Sequence, residues 1–319
     1  MPLAAAPSAV RAHQMGAGEW GFLLFLALIW GASFYFNALA LGALPVFSIV
    51  ALRVAIGAGV LLAVLWLSGA GLRLTPRLAG TFLLMGLINN VIPFTLIVWG
   101  QTAIASGVAA ILNATTPLFS VAFVWAFGGG GRPARLALWG LPAGLAGVAV
   151  MAGPDAVALL GRDLAAQAAC LGAACSYALA GVWGRRLGRA GVTPLPAATG
   201  QLVASALILA PVALLVDAPW RLALPGGEVW LALAALGAVS TALAYVIYFR
   251  LLASAGPTNL LLVTFLVPVT AIVLGVVLLG EVLAPRHLAG MALIGVGLAL
   301  IDGRLPARLS AVGRGRRHG

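Results

Sequence analysis

Apolar runs of nearly equal length, separated by short polar breaks, make up most of this chain. They cover Trp20 to Leu41, Val46 to Leu67, Leu78 to Trp99, Ala103 to Phe127 and Leu136 to Met151. After Gly153-Pro154-Asp155 they resume as Leu164 to Trp183, Ala197 to Val216, Val229 to Phe249, Thr258 to Leu279 and Leu288 to Ile301. About 20 apolar residues suffice for a helix to cross a bilayer. The runs are continuous rather than alternating, so they predict helices and not barrel strands. The breaks hold Gly and Pro and are too short for a soluble domain, which makes successive segments antiparallel neighbours.

The pattern is written twice. Val108 to Gly131 (VAAILNATTPLFSVAFVWAFGGGG) is answered by Thr258 to Glu281 (TNLLLVTFLVPVTAIVLGVVLLGE), with Pro117 matching Pro268 and Asn113 matching Thr264. Gly140 and Gly147 in segment 5 match Gly290 and Gly297 in segment 10. Gly86 matches Gly237, which sets Asn89-Asn90 against Ser240-Thr241, and Trp30 falls near Tyr177. The chain therefore reads as a tail (1–19), a first repeat (20–153), a second repeat (164–302) and a basic tail (303–319). Five helices is an odd number, so the second unit enters the membrane from the opposite side. The predicted fold is an all-α integral membrane protein of ten transmembrane helices in two inverted-topology five-helix repeats. Such a plan suits alternating access about a site at the repeat interface. Two near-equal packings of one half on the other carry little built-in bias between the two faces.

Composition sharpens the class. Residues are 63% hydrophobic and 8% charged, with mean hydropathy +1.12; a soluble domain carries about 25% charged residues. The chain must dissolve in a lipid bilayer. A net charge of +11 would suit nucleic acid, but the arginines sit in short loops and tails rather than on one face of a domain, which excludes that partner. With the N-terminus inside, fourteen arginines fall on the cytoplasmic side and Arg162, Arg221 and Arg286 outside, with Arg53 within segment 2. That bias places both termini in the cytoplasm, and the chain is expected in the bacterial inner membrane. Arg11 ahead of segment 1 resembles a signal-peptide start, yet segment 1 has a counterpart in segment 6 and is kept as a span. Cys170 and Cys175 lie in one apolar run and read as small packing residues, with no metal site.

These residues resemble the drug/metabolite transporter superfamily, of the EamA type with two EamA repeats. The carriers are WGASF at Trp30 to Phe34, Pro45 and Arg53 in segment 2, Pro117 and Pro268, TGQL at Thr199 to Leu202, and LLGE at Leu278 to Glu281. The resemblance covers nearly all of 20–302. It implies ten helices, a central cavity between segments 1–4 and 6–9, and movement of small metabolites. The first repeat of such proteins often carries its own acid after segment 4; here Gly130 stands there.

Arg53 is the charge furthest inside a span, at a cost of about 2.5–3.5 kcal/mol on insertion scales. It either snorkels outward or faces the cavity and meets an anionic group of the substrate. Asn89 and Asn90 either bond across helices or, like Ser240 and Thr241, line the cavity. Asn113, Thr116 and Thr264 join the pathway candidates, as do Trp30, Ser33, Tyr177, Gln201 and Tyr245. Pro93, Pro117 and Pro268 are hinge candidates, because each removes a backbone donor. Glu281 is expected to serve the start and dipole of segment 10. Gly-rich segments 5 and 10 suit close packing, also between protomers of a homo-oligomer.

The expected function is secondary transport, export or exchange, of small organic metabolites such as amino acids. A membrane-embedded lipid-modifying enzyme, the alternative, needs a nucleophile, acid–base pair or metal cluster, and a scaffold or sensor needs an output domain. His13, His287 and His318 are terminal or in a loop. No catalytic residue, cofactor or metal is expected; the partners are a small-molecule substrate and the bilayer.

Overall fold

The computed structural model describes residues 15–71, 74–127, 135–152, 162–189, 191–260 and 262–302. Most of both tails and the run Gly128–Gly131 lie outside the described residues. Every described element is helical: α1 (Ala17–Leu41), α2 (Val46–Leu67), α3 (Pro76–Gly86), α4 (Ile92–Gly100), α5 (Ser106–Asn113), α6 (Thr116–Phe127) and α7 (Arg135–Ala152). The second half follows with α8 (Arg162–Arg189), α9 (Pro194–Asp217), α10 (Gly227–Ala234), α11 (Ala244–Ser254), α12 (Gly256–Leu260), α13 (Val263–Leu279) and α14 (Pro285–Asp302). Two π-helical turns, Leu87–Val91 and Ala235–Leu243, join α3 to α4 and α10 to α11.

Each apolar segment of the sequence forms a helix, because in lipid a backbone must satisfy its own polar groups. Among the described residues seven helical stretches are long and apolar enough to cross a membrane; Val263–Leu279 is apolar but shorter. Segment 4 breaks at Ala114-Thr115, directly before Pro117, which opens α6 where its missing N–H costs nothing. Segment 9 breaks between Leu260 and Val263, while Pro268 lies inside α13. The second break therefore stands more than a turn ahead of its proline.

The two halves pack by one rule. α1 lies on α13, and its counterpart α8 lies on α6 and α5. α4 lies on α8, and α11 with the Ala235–Leu243 turn lies on α1. α2 meets that turn, and α9 meets the Leu87–Val91 turn. α2 pairs with α9 and α7 with α14, each with its own counterpart.

The glycines of α7 and α14 make that last pairing. A methyl group on Gly147 would stand 2.6 Å from the Gly290 carbonyl oxygen, and one on Gly297 would stand 2.6 Å from that of Gly140. Gly144 is closed off by Leu118. These glycines pack α7 against α14 within one chain. Gly147→Ala and Gly297→Ala should each lower the thermal midpoint of the detergent-solubilised protein, by overpacking worth about 1–3 kcal/mol. An unchanged midpoint in both would mean the crossing bears no load. Cys170 is a packing residue as expected: it is free, buried, and faces the open side of Gly100.

Candidate functional site

Where the halves meet, the apolar core is interrupted by polar side chains from α2, α4, α8, α9, α11 and the two π-turns. The turns form where a glycine presses on the facing helix. A methyl on Gly86 would stand 2.8 Å from the Gln201 carbonyl oxygen, and one on Gly237 would stand 2.9 Å from that of Arg53. A π-turn holds one extra residue per hydrogen-bonded ring and re-aims the side chains on it. Pro93, which has no N–H, follows the first turn. The second forms without a proline, so the glycine contact is what the two turns share.

Arg53 is 5% exposed, about 10 Å along α2 from its start at 1.5 Å per residue. Its Nε donates to Thr241 Oγ1 at 3.0 Å, across the halves. Its guanidinium carbon lies 3.9 Å from the centre of the Phe94 ring, a cation–π geometry. Phe94 meets Tyr177 edge-on at 6.4 Å. Among the described residues Arg53 forms one hydrogen bond and no ion pair. A guanidinium has five N–H donors, so most of its capacity faces no carboxylate.

Beside it runs a bonded network. Asn89 Nδ2 donates to Gln201 Oε1 at 3.0 Å and to Tyr245 OH at 3.2 Å. Tyr245 OH donates to Asn90 Oδ1 at 2.8 Å, and Asn90 Nδ2 donates to Ser205 Oγ at 2.9 Å. Ser205 Oγ donates to the Gln201 carbonyl at 2.6 Å. Asn90 and Ser205 are wholly buried. Asn89 and Asn90 thus both bond across helices.

Arg53, Asn89, Asn90, Tyr177, Gln201, Thr241 and Tyr245 are thus brought together. Other candidates are not. Ser33 Oγ donates to the Trp30 carbonyl, Ser240 Oγ to the Ile29 carbonyl and Thr116 Oγ1 to the Asn113 carbonyl. These hydroxyls satisfy backbone. Trp30 packs on Tyr248 at 5.8 Å. Asn113 Oδ1 is buried without a partner among the described residues, and Thr264 is half-buried on α13. Sequence reasoning missed Ser205 and Phe94. Ser205 stands one turn after Gln201 on the same helix face, which is a readable signal; Phe94 reads as any apolar residue until Arg53 lies on it.

The match between halves extends to the charge. The spacing from Arg53 to Gln201 is the same as that from Gly57 to Ser205 and from the helix-capping Pro45 to Thr193. Arg53 bonds the second π-turn at Thr241, and Gln201 bonds the first at Asn89. Arg53 and Gln201 occupy equivalent places.

The two ends of the bundle are not equivalent. Ends of α1, α4, α9 and α13 meet starts of α2 and α5 at the arginine-poor end. There Asp217 Oδ2 accepts from Ser48 N at 2.6 Å and Ser48 Oγ at 2.8 Å, tying the end of α9 to the start of α2. Glu281 Oε1 accepts from Ser106 N at 2.8 Å and Oε2 from Gly107 N at 3.3 Å, tying the end of α13 to the start of α5. Glu281 therefore caps α5, in the other half, and not the helix that follows it. The side of Gly275 lacks a Cβ where this carboxylate lies. Ser106 Oγ also accepts from Gln101 Nε2 at 3.0 Å, and Gln101 Oε1 accepts from Asn37 Nδ2 at 3.0 Å. Among the described residues no carboxylate ties one half to the other at the arginine-rich end.

The EamA-like transporter family matches this chain twice, over residues 19–153 and 164–302. The uncharacterized inner membrane transporter YedA of Escherichia coli strain K12 is 27% identical over 289 residues, spanning 88% of this chain and 90% of that protein. YedA of Escherichia coli O157:H7 is similar to the same extent. A protein of known crystal structure, 23% identical, shares the fold with a TM-score of 0.65 and covers 92% of this chain and 99% of its own.

Proposed function

The chain belongs to the EamA-like transporter family, and from that premise we propose a secondary transporter of small carboxylate-bearing metabolites, amino acids among them, in the bacterial inner membrane. Ten helices span the bilayer, with both termini cytoplasmic and the arginine-poor end outside. The two halves rock about the polar cluster, with the breaks before Pro117 and Pro268 and the π-turn before Pro93 absorbing the change. The observation that carries the reading is Arg53: a buried guanidinium at the junction of the halves with one hydrogen bond and no ion pair among the described residues. An intramembrane charge is expensive and marks a substrate path unless paired. A carboxylate takes two parallel N–H bonds from a guanidinium, and the Phe94, Tyr177 and Tyr245 rings give the substrate's carbon skeleton an apolar and aromatic seat. The YedA relatives are inner membrane transporters by name, which supports the location.

Flux of labelled amino acids, other monocarboxylates, sugars and nucleosides into liposomes holding the purified chain tests this. Carboxylate-bearing solutes should move and compete with one another. Uncharged sugars moving while carboxylates do not would overturn the substrate class, and lipid turnover without any flux would overturn transport.

A further inference from the structure

We infer that Asp217 and Glu281 form a two-point latch that holds the outer side of the transporter closed, with no such carboxylate latch among the described residues of the cytoplasmic side, so that the resting protein loads from the cytoplasm. The inference rests on the transport reading above for what the gate serves, and on the structure alone for the latch itself.

Both carboxylates join one half to the other. Asp217 on α9 holds the first turn of α2, and Glu281 after α13 holds the first turn of α5. Each accepts backbone N–H groups that a helix start leaves unbonded, which are charge-assisted contacts of the stronger kind. If the halves rock apart at this end, both must break.

The mirrored places at the other end do not repeat them. By the match of helix starts, Ser48 corresponds to Pro196, and by the match of Pro117 with Pro268, Ser106 corresponds to Pro257. Proline has no N–H to donate. The acids are missing as well: α2 ends in Leu67, Ser68 and Gly69, and the place answering Glu281 falls in Gly128–Gly131. At the first position donor and acceptor are both absent; at the second the acid and one of its two donors are absent, Thr258 answering Gly107. A repeat that otherwise packs evenly is therefore biased toward one packing, since a difference in contacts between two states shifts their populations.

The apolar cleft of the structure agrees. It holds about 150 Å³ at the arginine-rich end, between Leu61 and Val64 of α2, Leu195 and Ala198 of α9, and Tyr245 and Phe249 of α11. Tyr245 is also a member of the polar network. The cleft thus lies beside the cluster at the end of the bundle opposite the two carboxylates.

The test uses the full chain in nanodiscs, where a water-soluble maleimide reaches both faces, in a background of Cys170→Ala and Cys175→Ala. Ser106→Cys, buried at the latch with its backbone N–H retained, reports one end; Leu195→Cys, in the cleft, reports the other. Asp217→Asn with Glu281→Gln should raise the labelling rate at Ser106→Cys roughly tenfold and lower it at Leu195→Cys, as a population shift requires. A rise at Ser106→Cys alone would reduce the pair to local helix caps and overturn the gate, as would no change at either reporter. Each single substitution is read beside the pair, so a pair that does not fold leaves the singles to decide. Labelling needs no substrate. A shift in labelling by a protein that moves no solute would leave the latch standing and remove the transport reading, and unchanged labelling by an active protein would do the reverse.

Discussion

Arg53→Gln is expected to lower carboxylate flux about 100-fold, while the protein inserts normally and melts at the same temperature or higher. The two halves of this result come from one cause. Burying a guanidinium in a span costs about 2.5–3.5 kcal/mol on insertion scales, and a single bond to Thr241 with a ring contact to Phe94 offsets only part of it. Removing the charge relieves that cost, so stability should not fall. Transport loses the bidentate contact to the substrate, worth roughly 2–5 kcal/mol when one partner of a buried charged pair is removed. At 1.4 kcal/mol per tenfold, about 3 kcal/mol gives the stated loss. Arg53→Lys keeps the charge but not the planar fork and should fall between. Liposome flux and a thermal melt on the same preparations check both halves. A large fall in melting temperature with flux lost in proportion would make Arg53 a structural residue that binds its own neighbours.

The helices were legible because hydropathy is sufficient in a bilayer: a run such as Val46 to Leu67 has no other backbone solution, and α2 has those bounds. What hydropathy does not carry is the contact between runs. Asn89-Asn90 and Ser240-Thr241 were visible as polar interruptions at matched places, yet the π-turns that hold them lie where Gly86 and Gly237 meet backbone on other helices. Arg53 was visible as a charge, but not the ring of Phe94 beneath it or the tie to Thr241. Glu281 was read against its nearest helix, since a dipole acts locally; its partners are Ser106 and Gly107, far back in the chain. The missing twin of Glu281 was legible in the glycines at 128–131. Its meaning was not, because the bond it would have made is tertiary.

Moving the charge to the mirrored position should restore part of what Arg53→Gln removes. Arg53 and Gln201 hold equivalent places: each reaches the π-turn of the other half, at Thr241 and Asn89. By the match of Gly86 with Gly237, Tyr245 answers Phe94, so an arginine at position 201 would meet an aromatic ring as Arg53 does. The variant Arg53→Gln/Gln201→Arg should therefore move carboxylates about tenfold faster than Arg53→Gln alone, a recovery of about 1.4 kcal/mol. Recovery should stay incomplete. The Asn89–Gln201 bond is lost, and the apolar cleft reaches Tyr245 rather than Phe94. Gln201→Arg with Arg53 in place should instead lower the melting temperature, since two like charges then share one dry site. Flux and melting of the four proteins close a double-mutant cycle. If the swapped protein folds and moves no more than Arg53→Gln, the halves are alike in packing but not in chemistry, and the substrate meets Arg53 from one side of the cluster alone.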